Sequence, residues 1–255
     1  ALWGINLSYL LEGITYFGIL SLLAMYFNDL GLNDIQAGQM IGIQTAGITL
    51  AMLFLGATVD WIGVRKALLI SLSTMLVGRV RLALAPQIGA PGLWQKAHIV
   101  AMLGILGVVL GYGIYQPACY AAVKQFTDKK TSAMGYAMLY AIMNLGGFLP
   151  GLISPPIRKN HGIVGVYWVY VALTVAGILV VAFILSKKTV EMAIANAREG
   201  QDEPVSDPET TETQSTKEKI LNYLKNFPVK DGRFMFFIFI LIPVQNLFAH
   251  NWLTL

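Results

Sequence analysis

Glu12 is the only acidic residue in the first apolar run of the chain, which extends from Leu2 to Phe27. At 1.5 Å per residue, Glu12 would lie roughly 15 Å along a helix, close to the midplane of a bilayer. A carboxylate at this depth costs at least about 2.5 kcal/mol on insertion scales, and such residues usually mark an ion or proton path. Glu12 is therefore a candidate proton-coupling residue. The alternative is a permanently protonated Glu12 that hydrogen-bonds between helices.

Further polar side chains lie at depth in the apolar runs. Tyr16 is four residues after Glu12 and shares its helix face. Later runs contain Gln44, Tyr115, Gln116, Tyr140 and Asn144, the last two at i and i+4 on one face. These side chains could line a cavity for a polar solute, or they could be interhelical contacts worth about 0.6 kcal/mol each. Both interpretations remain open from the sequence.

Two arginines, Arg79 and Arg81, lie inside the third apolar run. Residues two positions apart on a helix point in directions about 200° apart, so Arg79 and Arg81 cannot both face one cavity. Arg81 is near the predicted outer end of its helix, where a long basic side chain can reach the interface. Arg79 lies deeper and is a candidate partner for Glu12.

The composition indicates the class of protein in which these residues act. Of the 255 residues, 56% are hydrophobic and 13% are charged, whereas soluble domains average about 25% charged residues. This balance predicts an all-α membrane protein. The net charge of +4 does not indicate nucleic-acid binding, since the basic residues lie in loops between apolar runs. The sequence shows no metal-ligand cluster, phosphate loop or nucleophile–base pair, so we expect no cofactor, no metal and no enzymatic activity.

Six complete apolar runs could position these residues, since roughly 20 apolar residues cross a bilayer as a helix. The runs are Leu2–Phe27, Ala37–Val59, Ala67–Ala85, Ile99–Val123, Ala133–Ile157 and Val166–Leu185. In the fourth run, Gly104, Gly107 and Gly111 are spaced to let a neighbouring helix approach closely. We therefore predict a six-helix N-terminal transmembrane bundle over 1–186.

The composition changes after the sixth run. Residues 187–232 are predicted to be a cytoplasmic linker, whose middle, Glu199–Thr213, is acidic and rich in Pro, Ser and Thr. Ser215 to Glu218 resembles a capping box that opens a short amphipathic helix, either lying on the membrane surface or solvated. A seventh apolar run over 233–255 predicts the truncated start of a C-terminal bundle. Its Gln245 and His250 are further candidates for the solute site.

The charges of the loops predict the orientation of the bundle. Most of the 18 Lys and Arg residues lie in the loops after the second, fourth and sixth helices, whereas Lys96, Arg158 and Lys159 lie in the other loops. Cytoplasmic loops carry an excess of Lys and Arg. The N-terminus and the central loop are therefore expected in the cytoplasm.

The loop between the second and third helices reads Gly56-Ala-Thr-Val-Asp60-Trp-Ile-Gly63-Val-Arg65-Lys66. It resembles the Gly-x-Leu-Ala-Asp-Arg-x-Gly-Arg-Arg/Lys loop of the major facilitator superfamily, in sequence and in position. The resemblance implies a conformational latch between two halves of a transporter, formed here by Gly56, Asp60, Gly63, Arg65 and Lys66. The basic residue that the family has after the Asp is Trp61 in this chain.

Within that superfamily, the first helix resembles the proton-coupled oligopeptide transporters, which open with Glu-x-x-Glu-Arg-Phe-x-Tyr-Tyr-Gly. Here Tyr9 and Gly13 stand at the first Glu and at the Arg, while Glu12 is retained. In the fifth helix, Tyr140, Asn144 and Gly146 match the family's Phe-Tyr-x-x-Ile-Asn-x-Gly. In the fourth, Gln116 replaces the Lys of Phe-Lys-Pro-Asn.

This resemblance implies a secondary active transporter that works by alternating access in a bacterial inner membrane. Its partners would be protons, the lipid bilayer, a small polar or zwitterionic solute, with peptides as the first choice, and a C-terminal half of the same protein. A sensor or scaffold of the same fold that does not transport is the alternative. A channel would need more polar residues at depth than this chain has.

Overall fold

The computed structural model describes residues 1–199, and all of their longer elements are helices. The helices are α1 (Leu2–Asp29), α2 (Asp34–Leu55), α3 (Thr58–Ile62), α4 (Val64–Leu84), α5 (Lys96–Phe126), α6 (Ser132–Phe148), α7 (Pro150–Phe183) and α8 (Lys187–Glu199), with a short 3₁₀ turn over Ala85–Gln87. The predicted amphipathic helix after Ser215 and the seventh helix, with Gln245 and His250, lie outside the described residues.

Five stretches of the described chain are helical, long and apolar enough to cross a bilayer, and the last of them, Ser132–Phe183, contains the predicted fifth and sixth helices. The chain reverses within it at Gly162, whose φ of 65° favours glycine. The Ser154 and Tyr170 hydroxyls, 16 residues apart, are 2.6 Å from each other, whereas a straight helix would separate them by about 24 Å. The two segments are therefore an antiparallel pair, and the predicted all-α bundle is confirmed.

The boundaries around this reversal differ from the prediction. The predicted fifth helix, Ala133–Ile157, is divided between α6 and the first part of α7, and helical structure continues almost to Gly162. Arg158, Lys159 and their polar neighbours were expected in a loop. An apolar run indicates the thickness of the membrane that a helix crosses, and the helix can continue beyond it with polar residues.

α1 packs against α2, α5, α6 and α7, and α5 packs against α1, α2, α4, α6 and α8, so these two helices form the centre of the bundle. The most extensive pairing is between α4 and α5. There a Cβ added at Gly78 would lie 2.6 Å from the Gly104 carbonyl oxygen, and one at Gly107 would lie 3.0 Å from the Gly78 Cα. The predicted close packing along the glycines of the fourth helix is thus confirmed, with Gly78 as the partner of Gly104 and Gly107, and with Ser71 and Met75 next to Gly111.

α8 is a helix that the sequence analysis did not identify. Its apolar side chains Val190, Ala193, Ile194 and Ala197 recur at i, i+3, i+4 and i+7, and it packs against α5. The segment is too short and too polar to cross a bilayer, so a search for long apolar runs does not find it. α8 lies in the same compact unit as the bundle.

Candidate functional site

The carboxylate of Glu12 on α1 is paired with the guanidinium of Arg79 on α4. Arg79 donates from Nη1 to Oε2 of Glu12 over 2.8 Å and from Nη2 to Oε1, and both side chains are 1% exposed. Nη1 also donates to the Thr174 hydroxyl on α7 over 2.6 Å. Arg79 is therefore the partner of Glu12, whereas Arg81 is exposed.

The geometry of this pair favours an ionised Glu12. Both carboxylate oxygens accept N–H groups of Arg79, which stays charged in proteins. A fork of two parallel bonds is the arrangement that a guanidinium makes with a carboxylate. This arrangement disfavours a permanently protonated Glu12, which is one of the two interpretations that the sequence leaves open. When both groups are charged, the pair has no net charge. A protonated Glu12 would leave the charge of Arg79 unbalanced at the centre of the bundle.

Close contact between helices holds Glu12 in place. Gly13 lies where α1 crosses α6, and a Cβ added to it would meet the Met143 sulfur at 3.2 Å and the Gly146 Cα at 3.4 Å. Conversely, a Cβ on Gly146 would lie 3.0 Å from the Gly13 backbone. The position at which the related motif has an arginine is thus a helix crossing in this chain. The guanidinium beside Glu12 comes from α4 instead.

A series of tyrosines extends from this pair along α1 and α5. The Tyr16 and Tyr112 ring centroids are 4.8 Å apart, those of Tyr112 and Tyr115 are 6.2 Å apart, and those of Tyr115 and Tyr9 are 6.2 Å apart. The Tyr115 hydroxyl lies 2.9 Å from that of Ser8, and Gln116 donates to the Tyr9 hydroxyl over 3.3 Å. Tyr16, Tyr115 and Gln116 are therefore brought together, as part of a larger aromatic group.

The series continues to the surface of α6. Tyr120 interacts electrostatically with both Tyr9 and Tyr140, and its ring is 6.1 Å from Tyr136 and 6.3 Å from Tyr140. Tyr140 is 61% exposed. We call Tyr16, Tyr112, Tyr115, Tyr9, Tyr120 and Tyr140 the tyrosine column.

Two of the predicted lining residues lie apart from these contacts. Asn144 is exposed, and its amide donates to the Tyr140 carbonyl within α6. Gln44 is buried on α2, and its Oε1 has no hydrogen-bond partner among residues 1–199. Neither side chain contacts Glu12 through a hydrogen bond that the structure shows in this part of the chain. Their roles in a solute site stay predictions.

The loop that resembles the family latch has a definite structure. Gly63 joins α3 to α4 with a φ of 80°, a conformation that favours glycine. Arg65 donates from Nε to the Leu185 carbonyl over 2.7 Å and from Nη2 to the Ala182 carbonyl over 3.4 Å. It thereby binds carbonyls at the end of α7, where a cation is favoured.

The remaining latch residues are differently placed. Gly56 ends α2, and a Cβ there would lie 3.4 Å from Pro117 of α5. Asp60 and Lys66 are exposed, and the described part of the chain provides neither with a salt bridge. A latch that uses Asp60 and Lys66 remains a prediction.

Sequence reasoning missed five residues at the site: Ser8, Tyr9, Tyr112, Tyr120 and Thr174. Tyr112 carried a detectable signal, because it stands at i−3 from Tyr115 in an apolar run, on the face that already held a candidate. Ser8 and Thr174 carried none, since hydroxyls in transmembrane helices commonly bond their own backbone. Thr174 does so too, donating to the Tyr170 carbonyl over 2.8 Å while it accepts from Arg79.

Comparison with known proteins gives three consistent results. The family model described as Major Facilitator Superfamily matches residues 5–255. The peptide transporter YePEPT of Yersinia enterocolitica is 26% identical over 169 residues, which is 62% of this chain and 31% of that protein. A crystal structure of the peptide transporter POT with alafosfalin has a TM-score of 0.65 at 18% identity, over 92% of this chain and 46% of that one.

A POT family transporter crystallised with 5-aminolevulinic acid is similar in the same way, with a TM-score of 0.61 at 17% identity over 98% of this chain and 47% of that one. At such identities the likeness shows the fold alone. The chain spans less than half the length of each of these relatives.

Proposed function

The chain belongs to the Major Facilitator Superfamily, and we propose that it is the N-terminal part of a secondary active transporter that moves a small polar or zwitterionic solute by alternating access, driven by protons. The observation that supports this proposal most is the buried Glu12–Arg79 pair. An ionisable pair at this depth is expensive to keep in a membrane protein, and such residues usually serve an ion or substrate path. A purely structural contact between α1 and α4 would need no charges.

The pair is suited to proton coupling because only one of its members can change charge. Arg79 keeps its proton, whereas Glu12 can gain one when water reaches it and lose it again. Protonation removes the ion pair but leaves one Glu12 oxygen and the Thr174 hydroxyl as acceptors for Arg79. The interactions that join α1, α4 and α7 therefore depend on protonation, which is what a coupled conformational change requires.

We propose a peptide-like solute. The supporting fact is that the similar proteins are peptide transporters, one of them crystallised with alafosfalin and another with 5-aminolevulinic acid. Tyr16, Gln44, Tyr115, Gln116, Tyr140 and Asn144 are the proposed contacts from this half of the protein, with Gln245 and His250 from the seventh helix. The partners are protons, the lipid bilayer and a C-terminal half.

The described chain is an integral membrane segment, with long apolar helices. We propose a bacterial inner membrane as its location, with the N-terminus and central loop in the cytoplasm, because Lys and Arg are concentrated in the loops on that side. On this orientation the Gly56–Lys66 loop lies at the cytoplasmic surface, where the proposed latch would act.

Uptake by the protein in proteoliposomes tests this proposal. Labelled dialanine and 5-aminolevulinic acid should accumulate when the outside is more acidic than the inside, and accumulation should fall when the gradient is collapsed by an ionophore. Empty liposomes are the control. Failure of a panel of dipeptides, amino acids and amino-ketoacids to enter under either condition would reject transport and leave the sensor or scaffold of the same fold.

A further inference from the structure

The tyrosine column has a buried end and an exposed end. Tyr112 and Tyr115 are fully buried, whereas Tyr120 is half-buried and Tyr140 is exposed. The charged groups that act on the Tyr112 hydroxyl are Glu12 and Arg79, and the other titratable groups around it are Tyr9, Tyr16 and Tyr115. The column therefore joins the buried ion pair to the surface of the bundle.

Apart from Tyr16, which follows Glu12 on α1, the tyrosines of the column lie in one direction from the ion pair. From Glu12 to Tyr9 the chain moves towards the start of α1, and from Tyr112 to Tyr120 it moves towards the end of α5, a distance of about 12 Å along the helix. Tyr140 is at the middle of α6, whose start follows the end of α5 in the chain. The start of α1, the end of α5 and the start of α6 all lie on the side that the loop charges predict to be cytoplasmic. About 12 Å is most of the distance from the midplane of a bilayer to its surface.

Polar atoms at the buried end lack partners. The Tyr112 hydroxyl and the Arg79 Nε atom are buried, and neither has a hydrogen-bond partner among residues 1–199. Leaving a buried donor unsatisfied costs about 1–3 kcal/mol. If the Tyr112 ring served only to fill space, a phenylalanine would do so without the free-energy cost of an unpaired hydroxyl. The Tyr112 hydroxyl interacts electrostatically with Glu12 without a direct hydrogen bond, so a water molecule between them would supply the missing partner.

We propose that Tyr112, Tyr115 and Tyr9, all buried, relay protons between Glu12 and the more exposed Tyr120 and Tyr140, so that the tyrosine column is the cytoplasmic proton path of the transporter. This proposal rests on the proton coupling proposed above. Water molecules link successive hydroxyls where these do not bond directly. The Tyr115–Ser8 and Gln116–Tyr9 contacts hold two of the phenols in position.

The transfer is balanced at every step. When Glu12 releases its proton, a bridging water passes a proton to the Tyr112 oxygen, because the two groups do not bond directly. The Tyr112 hydroxyl gives its own proton to the next oxygen, and so on to a water molecule that reaches the exposed Tyr140 hydroxyl. Each phenol ends with one proton, as it began. The only net changes are that Glu12 becomes a carboxylate again, paired with Arg79, and that one proton enters the water.

Tyr112→Phe tests the relay, with Tyr167→Phe as a matched control. Tyr167 is also buried, stacked on another tyrosine and without a hydroxyl partner in the described chain, but its titratable neighbours are Tyr26 and Tyr170. The readout is the rate of dialanine uptake driven by a pH gradient, divided by the rate of dialanine counterflow, which needs no net proton movement. We expect this ratio to fall at least about tenfold in Tyr112→Phe, as for loss of a proton-transfer group. Tyr115→Phe should lower it as well, and Tyr167→Phe should not.

The outcomes separate the two proposals. Equal ratios in the wild type, Tyr112→Phe and Tyr115→Phe would overturn the relay while leaving proton coupling intact. Equal losses of both rates in Tyr112→Phe and Tyr167→Phe would also overturn it, because the hydroxyl would then be needed only for packing. Counterflow without any gradient-driven uptake in the wild type would reject proton coupling itself.

Discussion

Glu12→Ala and Arg79→Ala should each lower the free energy of unfolding by about 3–5 kcal/mol, the range found when one partner of a buried ion pair is removed. Either substitution leaves a buried ionisable group without its partner at the centre of the bundle: Glu12→Ala leaves a charged Arg79, and Arg79→Ala leaves a carboxyl group that must stay charged or bind a proton. Arg79→Ala also removes the hydrogen bond that Arg79 donates to the Thr174 hydroxyl. The measurement is reversible unfolding of the purified protein in mixed micelles, followed by circular dichroism.

A double-mutant cycle distinguishes the pair from two independent residues. The Glu12→Ala/Arg79→Ala variant should be clearly more stable than the sum of the single effects predicts, because it buries no unpaired charge. Arg81→Ala is the matched control: Arg81 is exposed two residues away on α4, and its loss should change stability by less than about 0.5 kcal/mol. Additive single effects would contradict the ion pair.

Gly78→Ala should destabilise the bundle by about 1–3 kcal/mol, the usual cost of overpacking, and towards the upper end of that range. The added Cβ would lie 2.6 Å from the Gly104 carbonyl oxygen and 2.9 Å from the Val108 nitrogen. Both are backbone atoms, so no side-chain rotation can relieve the contact and α4 must move away from α5. The same unfolding assay measures the effect.

Gly42→Ala is the control for this substitution. Gly42 is inside α2, and a Cβ there would meet nothing within 4 Å. Alanine is favoured over glycine in a helix interior by about 1 kcal/mol, so Gly42→Ala should leave stability unchanged or raise it. Loss of stability in Gly42→Ala to the extent seen in Gly78→Ala would show that the effect does not come from the α4–α5 contact.

The helices that cross the membrane could be predicted because the bilayer imposes their length and hydrophobicity on the sequence. The partner of Glu12 was harder to predict. The spacing of Arg79 and Arg81 shows that they face opposite directions, but the rotation of α4 about its axis depends on packing. The packing is set by Gly78 of α4 and by Gly104 and Gly107 of α5. A Cβ added at any of them would lie close to backbone atoms of the other helix.

Gly13 shows a second limit. Read against the related motif, it is the loss of the arginine that follows Glu12 in that motif. In the folded chain Gly13 is a contact with Gly146, and the positive charge comes from α4. A motif records which residues are neighbours along the chain, whereas a site depends on neighbours in space. Only the fold connects the glycine at position 13 with the arginine at position 79, which supplies the positive charge beside Glu12.

The Tyr112 hydroxyl illustrates the same difference at finer scale. Its distance in sequence from Tyr115 places both on one helix face, but nothing in the sequence shows that Tyr9 and Tyr16 of α1 lie against them. Aromatic residues are common in transmembrane helices, so their number alone carries no information about a path.

We propose that Glu12 carries the coupled proton, and Glu12→Gln is the sharpest test, because the amide has nearly the same shape as the carboxyl group and cannot titrate. Dialanine uptake into proteoliposomes should be accelerated by an inward proton gradient in the wild type. In Glu12→Gln the gradient should have no effect on the rate, while counterflow persists. A Glu12→Gln protein whose uptake still responds to the gradient as the wild type does would contradict the claim.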